Sequence, residues 1–136
     1  MNKLTKLFIT CLSAVTLTLA SISSSFAKVE NGYIVLGAAV SLTGKYSSNG
    51  VHTQNGYNLA VERINKMGGV EVGGKKYKFE IIYYDDESNS GRAAQLAERL
   101  IKQDGVKYML GPYSSGLTKA MAPVTEKYKI PMVEAN

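Results

Sequence analysis

Along this chain, short apolar runs alternate with segments whose apolar residues have helical spacing. This pattern predicts strands that alternate with helices. Residues 33–40 are apolar on both faces, as expected for a strand buried in a parallel sheet. Shorter apolar runs at 79–84, 106–110 and 130–134 predict three more strands. Turn-forming residues follow the first three runs, so each strand is expected to end in a loop.

Three segments between these strands have helical spacing. The first, 51–67, is predicted to be a helix that buries one face, formed by Gly56, Ala60, Ile64 and Met67. The second, 91–103, is capped by Asn89 or Ser90 and is predicted to bury Ala93, Leu96, Ala97, Leu100 and Ile101. The third, 117–128, contains Pro123, which should kink or break it because proline cannot donate to the carbonyl four residues back.

The order of the predicted elements decides the fold class. A small hairpin at 70–78, turning at Gly73 and Gly74, precedes the second main strand. The remaining strands and helices alternate, and right-handed crossovers then give a parallel sheet with helices on both faces. We therefore expect an α/β protein with three αβα layers and a mostly parallel, doubly wound sheet.

The first 27 residues differ from the rest. Lys3 and Lys6 precede an apolar run at 7–20, and small residues end at Ala27, which is typical of a secretory signal peptide. The run is short for a membrane anchor, the alternative interpretation. Cys11, the only cysteine, follows Thr10 within the apolar run, which argues against a lipid anchor. We expect cleavage after Ala27, export to the periplasm, and a single domain at 28–136.

Charge and composition exclude several functions. Removal of the leader lowers the basic residues from 16 to 14 against 11 acidic ones, and the only local basic cluster lies at 75–78. Nucleic-acid binding needs a denser basic face, so none is expected. His52 is the single histidine, and no phosphate-binding glycine fingerprint or nucleophile motif is present. The sequence thus predicts no catalytic residue, no metal and no cofactor.

Three loops are expected to meet at the carboxyl edge of the sheet, where ligands of open α/β sheets bind. They are the first loop (43–50), the second loop (85–90) and the third loop (111–116). The third loop carries Tyr113, Ser114 and Ser115 into a helix start, whose unpaired N–H groups and dipole favour an anion. The alternative is that Ser114 or Ser115 only caps the helix.

The first and second loops add different chemistry. The first loop offers hydroxyl and amide groups that suit a polar or zwitterionic ligand held by hydrogen bonds, namely Thr43, Tyr46, Ser47, Ser48 and Asn49. In the second loop, Asp85 and Asp86 are adjacent, so their side chains point to opposite faces of an extended segment. Solvation and capping are therefore expected of them rather than metal binding.

Several of these segments together resemble a known family. They are residues 35–44 (Val-Leu-Gly-Ala-Ala-Val-Ser-Leu-Thr-Gly), 65–69, 84–86, 111–115 (Gly-Pro-Tyr-Ser-Ser) and 129–131. In register they look like the type I periplasmic substrate-binding proteins, and most like the leucine/isoleucine/valine-binding proteins of branched-chain amino acid ABC transporters. The resemblance covers essentially the whole chain after residue 27.

The resemblance implies a binding protein of two lobes, of which this chain matches most of the first. It implies that Ser115 bonds the carboxylate of an amino acid, that Asn49 stands where tyrosine often contacts ligand, and that Asn136 offers a backbone contact. The positions of a disulfide found in some relatives are Ser88 and Ser114 here, so that link is absent. The implied partner is the permease of an ABC transporter in the inner membrane.

Two other functions stay open from the residues alone. A ligand-sensing extracellular domain of a receptor would use the same lobe with a membrane anchor or signalling domain. A secreted α/β enzyme would need a triad or a metal set. The last residues, 130–136, read as a strand without its covering helix, from which we expect a chain cut short.

Overall fold

The computed structural model describes residues 29–134, which form six strands and three helices. Asn136 and the predicted leader at 1–27 lie outside the described residues. In chain order the elements are β1 (Val29–Glu30), β2 (Tyr33–Val40), α1 (Ser47–Lys66), β3 (Val70–Val72), β4 (Lys75–Asp85), α2 (Ser90–Lys102), β5 (Met109–Leu110), α3 (Ser115–Lys127) and β6 (Met132–Val133).

The sheet has the order β3-β4-β2-β5-β6, with β1 paired to β2. Strands β4, β2, β5 and β6 run parallel, and in their register Gly37 pairs with both Ile82 and Met109. The two short strands β1 and β3 are antiparallel to their neighbours. The mostly parallel α/β fold is therefore confirmed, and the carboxyl ends of four strands share one edge.

Helices cover both faces of this sheet. On β4, Ile82 and Tyr84 pack against the apolar core, and alternation along a strand sends Tyr83 to the opposite face. There the Tyr83 hydroxyl donates to Asn58 of α1 at 2.8 Å. Helices α2 and α3 cover the first face, and α1 covers part of the second, which confirms three layers. The buried core includes Val35, Ala39, Leu96, Leu100, Val106, Met109, Leu117 and Met121.

Helix α2 forms as its sequence pattern predicts. All five positions predicted to be buried are buried. The Asn89 side chain caps the helix by accepting from the backbone N–H of Arg92 at 2.9 Å. Lys102 and Glu98 form an i,i+4 ion pair at 4.0 Å. The apolar period, the cap and the charge pair all agree, so the local sequence was sufficient to predict this helix.

The predicted buried face of α1 is wrong. Gly56 and Ala60 are exposed, and Met67, just past the helix, is 66% exposed. The side turned inward carries Gly50, which is buried, and Tyr57, which is half-buried. Polar and close contacts to distant residues, rather than burial of apolar side chains, decide how this helix lies on the sheet.

Other element boundaries also differ from the predictions. Helix α1 begins at Ser47 rather than 51, because Gly44, at φ +81°, turns the chain and its carbonyl accepts from the Ser47 N–H. Pro123 lies inside α3, which continues to Lys127 without a break. Because Pro123 has no N–H, the carbonyl of Lys119 four residues earlier lacks its helical hydrogen-bond donor. Lys119 is exposed, so water can donate to that carbonyl instead.

The sequence analysis missed β1. This strand pairs with β2 through a two-residue turn at Asn31 and Gly32, which have φ of +50° and +84°. Asn-Gly is the preferred pair for such a turn, because both positions need a positive φ. The dipeptide was therefore a usable indication. The predicted hairpin at Gly73 and Gly74 has the same geometry and is confirmed.

An apolar groove of about 770 Å³ lies on the sheet face that α1 only partly covers. Its lining includes Ile34, Leu36, Phe79, Tyr108 and Val133. No residue of the three loops lines the groove, although Leu110 and Val133, the last residues of β5 and β6, do.

None of the helices within residues 29–134 combines the length and apolar content that crossing a membrane requires.

Candidate functional site

The third loop brings its serines to the start of α3. Ser114 occupies the N-cap position, but its side chain makes no capping hydrogen bond. Ser115 is the first residue of the helix and is exposed. Its hydroxyl makes no hydrogen bond to any residue between 29 and 134. Neither hydroxyl therefore caps α3, and the first N–H groups of the helix point to the same space.

Two aromatic rings stand beside these serines. The ring centroids of Tyr46 and Tyr113 are 6.2 Å apart and the rings are tilted by 58°. The ammonium of Lys45 lies 4.7 Å from the Tyr46 ring centroid. Hydrogen bonds from Lys45 and Ser114, together with the charge of Lys45, lower the pKa of the Tyr46 phenol. The first and third loops therefore meet at Tyr46.

Asp85 holds the first loop against the second. One carboxylate oxygen accepts from the backbone N–H groups of Leu42 at 2.9 Å, Thr43 at 3.2 Å and Glu87 at 2.8 Å. The other accepts from the Thr43 hydroxyl at 2.7 Å. Partial burial opposes ionisation, but these hydrogen bonds outweigh it and lower the pKa of Asp85. Asp85 therefore caps the loop, as the sequence predicted. The Thr43 hydroxyl donates its hydrogen bond to Asp85.

Asp86 is not solvated as expected but fully buried. Its Oδ1 accepts from the Ser41 hydroxyl at 2.6 Å and from the Ser88 N–H at 2.8 Å. Its Oδ2 has no hydrogen-bond partner among the described residues. Burial raises the pKa of Asp86, and the neighbouring charge of Asp85 adds to that rise. The alternation that takes Asp85 to the loop surface takes Asp86 into the interior.

Asn49 lies in the first turn of α1 and is half-buried. Its carbonyl accepts from the Thr53 hydroxyl at 3.1 Å. The next residue, Gly50, packs so closely that a Cβ atom there would lie 1.9 Å from the carbonyl oxygen of Ser41. The absence of a side chain at Gly50 therefore sets the position of Asn49 relative to the end of β2.

A second polar group at this edge was missed from the sequence. The Tyr57 hydroxyl donates to the Gly111 carbonyl at 2.7 Å, and the Glu134 carboxylate accepts from the Thr118 hydroxyl at 2.7 Å. The same carboxylate lies directly against Gly111. Burial and the charge of Glu134 raise the pKa of Tyr57 to about 12. Because Glu134 follows β6 directly, its place at the carboxyl edge was predictable; the contact of Tyr57 was not.

The four predicted site residues that the structure describes all lie at this edge. Ser114, Ser115 and Tyr113 surround the start of α3, and Asn49 stands three residues beyond Tyr46. The surroundings are hydroxyl-rich and aromatic, and the carboxylates of Asp85 and Glu134 lie at the same edge. Residues 29–134 bring together no group of three or more His, Cys, Asp or Glu side chains that could hold a metal ion. The arrangement is suited to holding a small polar molecule by hydrogen bonds.

The fold is that of a doubly wound α/β protein with a mostly parallel sheet, and sequence comparison places the chain more closely. Residues 33–136 match the family model described as "Periplasmic binding protein". The chain belongs to this family, which is one of binding proteins rather than enzymes.

Individual relatives agree with this assignment. The chain is 30% identical over 122 residues to the Leu/Ile/Val-binding protein BraC3 of Rhizobium johnstonii, covering 90% of this chain and 32% of the relative. It is 30% identical over 132 residues to the Leu/Ile/Val-binding protein homolog 8 of Brucella suis, covering 97% and 30%. The chain thus spans about a third of the length of these curated relatives.

Solved structures give the same picture. The substrate-binding protein LivJ of a branched-chain amino acid transporter from Streptococcus pneumoniae, in complex with isoleucine, has a TM-score of 0.67 and 30% identity, covering 74% of this chain and 28% of that protein. The leucine-binding protein LivK from Thermotoga maritima has a TM-score of 0.64 and 27% identity, with coverage of 74% and 27%.

Proposed function

We propose that this chain provides one wall of an extracytoplasmic solute-binding protein that captures an amino acid for an ABC importer. The observation that carries the proposal is the Ser115 hydroxyl, which has no hydrogen bond within the described residues and stands at the start of α3. Relatives named for leucine, isoleucine and valine support a branched-chain amino acid or a related small polar ligand.

In this proposal the ligand's carboxylate binds at the start of α3. Backbone N–H groups and the helix dipole stabilise the negative charge, and the Ser115 hydroxyl donates a further hydrogen bond. Tyr46 and Tyr113 flank the position with aromatic surface, and Asn49 stands at the opposite loop. Ser114 already interacts with Tyr46, so it supports the ligand through the aromatic pair. The backbone of Asn136 is proposed as a further contact.

The wider setting follows from the same proposal. Residues 28–136 form most of one lobe, a second lobe closes over the ligand, and the loaded protein docks on the permease in the inner membrane. Residues 1–27 direct export to the periplasm and are removed. The site binds its ligand without changing it, because a binding protein must release what it captured.

We expect Ser115→Ala to weaken amino acid binding in the full natural chain. Loss of a hydrogen bond to a charged group costs about 1–3 kcal/mol, a factor of roughly 5 to 150 in Kd. Leucine, isoleucine and valine titrated by isothermal calorimetry provide the measurement. The thermal midpoint should change little, since the Ser115 hydroxyl caps nothing.

Ser90→Ala is the matched control for this variant. Ser90 is an exposed first residue of α2, as Ser115 is of α3, so both changes have the same local effect on a helix start. The control should keep the wild-type Kd. Equal affinity of the Ser115→Ala variant and wild type would remove the carboxylate role from Ser115.

Export predicts a defined mature N-terminus at Lys28. The short apolar run after Lys3 and Lys6, followed by small residues up to Ala27, specifies cleavage at that bond. Intact-mass spectrometry of the periplasmic protein should therefore find Lys28 first. Ala27→Arg, which removes the small residue at the cleavage site, should retain residues 1–27. Wild-type protein that begins at Met1 in the periplasmic fraction would contradict the prediction.

A further inference from the structure

Asp85 links two loops that the sequence separates widely. Asp85 ends β4, yet three of its four hydrogen bonds come from Leu42 and Thr43. These residues stand more than 40 positions earlier in the chain. The fourth comes from Glu87 in its own loop. One carboxylate therefore fixes the point where the chain leaves β2 and enters the first loop.

Ser88 forms a second link between the second loop and the first. Its hydroxyl donates to the Thr43 carbonyl at 2.8 Å and accepts from the Tyr46 N–H at 3.0 Å. Gly44 lies between these contacts, and a Cβ atom there would be 2.7 Å from the carbonyl oxygen of Glu87. Residues 43–46 are thus packed on the second loop and follow its position.

The first loop in turn sets the side chains near the proposed ligand. Tyr46 contacts Tyr113 of the third loop, and α1 begins at the next residue and carries Asn49 in its first turn. A displacement at Thr43 would therefore move both Tyr46 and Asn49 relative to the third loop. Binding sites lose affinity when such preorganisation is lost.

We propose that Asp85 is a positioning residue for the ligand, which it does not touch: its carboxylate fixes the first loop and so sets the gap between the first and third loops. The inference rests on the proposed function. The alternative is that Asp85 only adds stability to the fold. The two roles are separable, because a purely stabilising contact leaves the affinity of the folded protein unchanged.

Substitutions at Asp85 provide a graded test. In Asp85→Asn, Oδ1 can keep its three N–H donors, and the amide N–H can donate to the Thr43 hydroxyl, which is both donor and acceptor. Asp85→Ala loses all four hydrogen bonds. Thr43→Val removes only the hydroxyl contact. If Asp85 acts through the geometry of its hydrogen bonds rather than through its charge, the Asp85→Asn variant should keep the affinity that Asp85→Ala loses.

Asn65→Ala is the control for lost stability. The Asn65 side chain accepts from the Phe79 N–H and donates to the Phe79 carbonyl, both at 2.8 Å. This contact joins α1 to β4 at a point about 20 Å from Asp85, six residues along the same strand. The variant therefore loses two hydrogen bonds to the backbone without touching the three loops.

The experiment measures two quantities in the full natural chain at a temperature where every variant is folded. Calorimetry gives the Kd for leucine, isoleucine and valine, and hydrogen exchange gives the protection of residues 42–50. Asp85→Ala should weaken binding by about tenfold or more and speed exchange in 42–50. Asp85→Asn should stay within about threefold of wild type, Thr43→Val should fall between them, and Asn65→Ala should change neither quantity.

The result that overturns the inference is a wild-type Kd for Asp85→Ala, or an equal loss of affinity in Asn65→Ala. If wild-type protein binds none of the amino acids, the proposed function fails, and the exchange comparison alone decides the positioning role. In that case, unchanged exchange of 42–50 in Asp85→Ala would overturn the inference.

Discussion

Gly50→Ala should destabilise the protein strongly, although alanine is the better helix former. A Cβ atom at Gly50 would lie 1.9 Å from the carbonyl oxygen and 2.7 Å from the carbonyl carbon of Ser41, both backbone atoms that no rotamer change can move. The start of α1 must therefore shift away from β2. Overpacking costs about 1–3 kcal/mol and occasionally more, and a clash with fixed backbone belongs at the upper end of that range, above the gain of about 1 kcal/mol from helix propensity. Urea denaturation of the full natural chain measures the difference.

Gly56→Ala tests the same substitution on the same helix without the contact. Gly56 is exposed, and a Cβ atom there would meet nothing within 4 Å. This variant should gain up to about 1 kcal/mol in free energy of unfolding. A loss of unfolding free energy in Gly50→Ala together with a gain in Gly56→Ala would establish the close approach of α1 to β2. Equal effects would show that the helix start is not held against Ser41.

The second large effect is expected from residues 28–136 expressed on their own. They should bind no amino acid more tightly than the millimolar range, because effective pockets enclose most of a ligand's surface and, in the proposed function, this chain supplies one wall. Hydrogen bonds to a carboxylate that stays wet yield little net free energy. Ser115 is exposed, so a carboxylate bound there would stay in contact with water.

Residues 28–136 alone should also aggregate readily. The apolar groove on the sheet is open, with Val133 64% exposed and Tyr108 43% exposed, and contiguous apolar surface favours association. Circular dichroism would establish folding, and light scattering the state of association. Calorimetry with leucine, isoleucine and valine, beside the full natural chain as reference, would measure affinity. A soluble monomer with micromolar affinity would show that one lobe suffices and that the proposed closure is unnecessary.

Local patterns predicted most of the fold. Helix α2 has a clear apolar period, a cap at Asn89 and an ordered charge pair, and each of these needs only residues within four positions of one another. The hairpin at Gly73 and Gly74 is equally local, since only the turn residues must adopt a positive φ. The order of elements then gave the parallel sheet, because crossovers have one hand.

The meeting of the three loops at one edge was predicted for a similar reason. Parallel strands bring their carboxyl ends to one edge, so the loops that carry Asn49, Tyr113, Ser114 and Ser115 were placed together by topology alone. Successive side chains point to opposite sides of an extended segment, so Asp85 and Asp86 have different surroundings. Asp85 caps the loop, but Asp86 is buried rather than solvated, because Ser41 and the Ser88 N–H offer it hydrogen bonds inside.

By itself, the sequence determined the types and order of the main elements, the core of α2 and the edge at which the three loops meet, because each depends on short-range periodicity or on chain order. Only the tertiary structure decided which side of α1 faces the sheet and which partners Asp85 and Tyr57 find. Apart from Glu87, which is close to Asp85 in sequence, those partners lie 42 to 54 residues away along the chain. A hydrogen bond or a close backbone contact over such a separation leaves no period in the sequence, since it depends on where whole elements come to rest against one another.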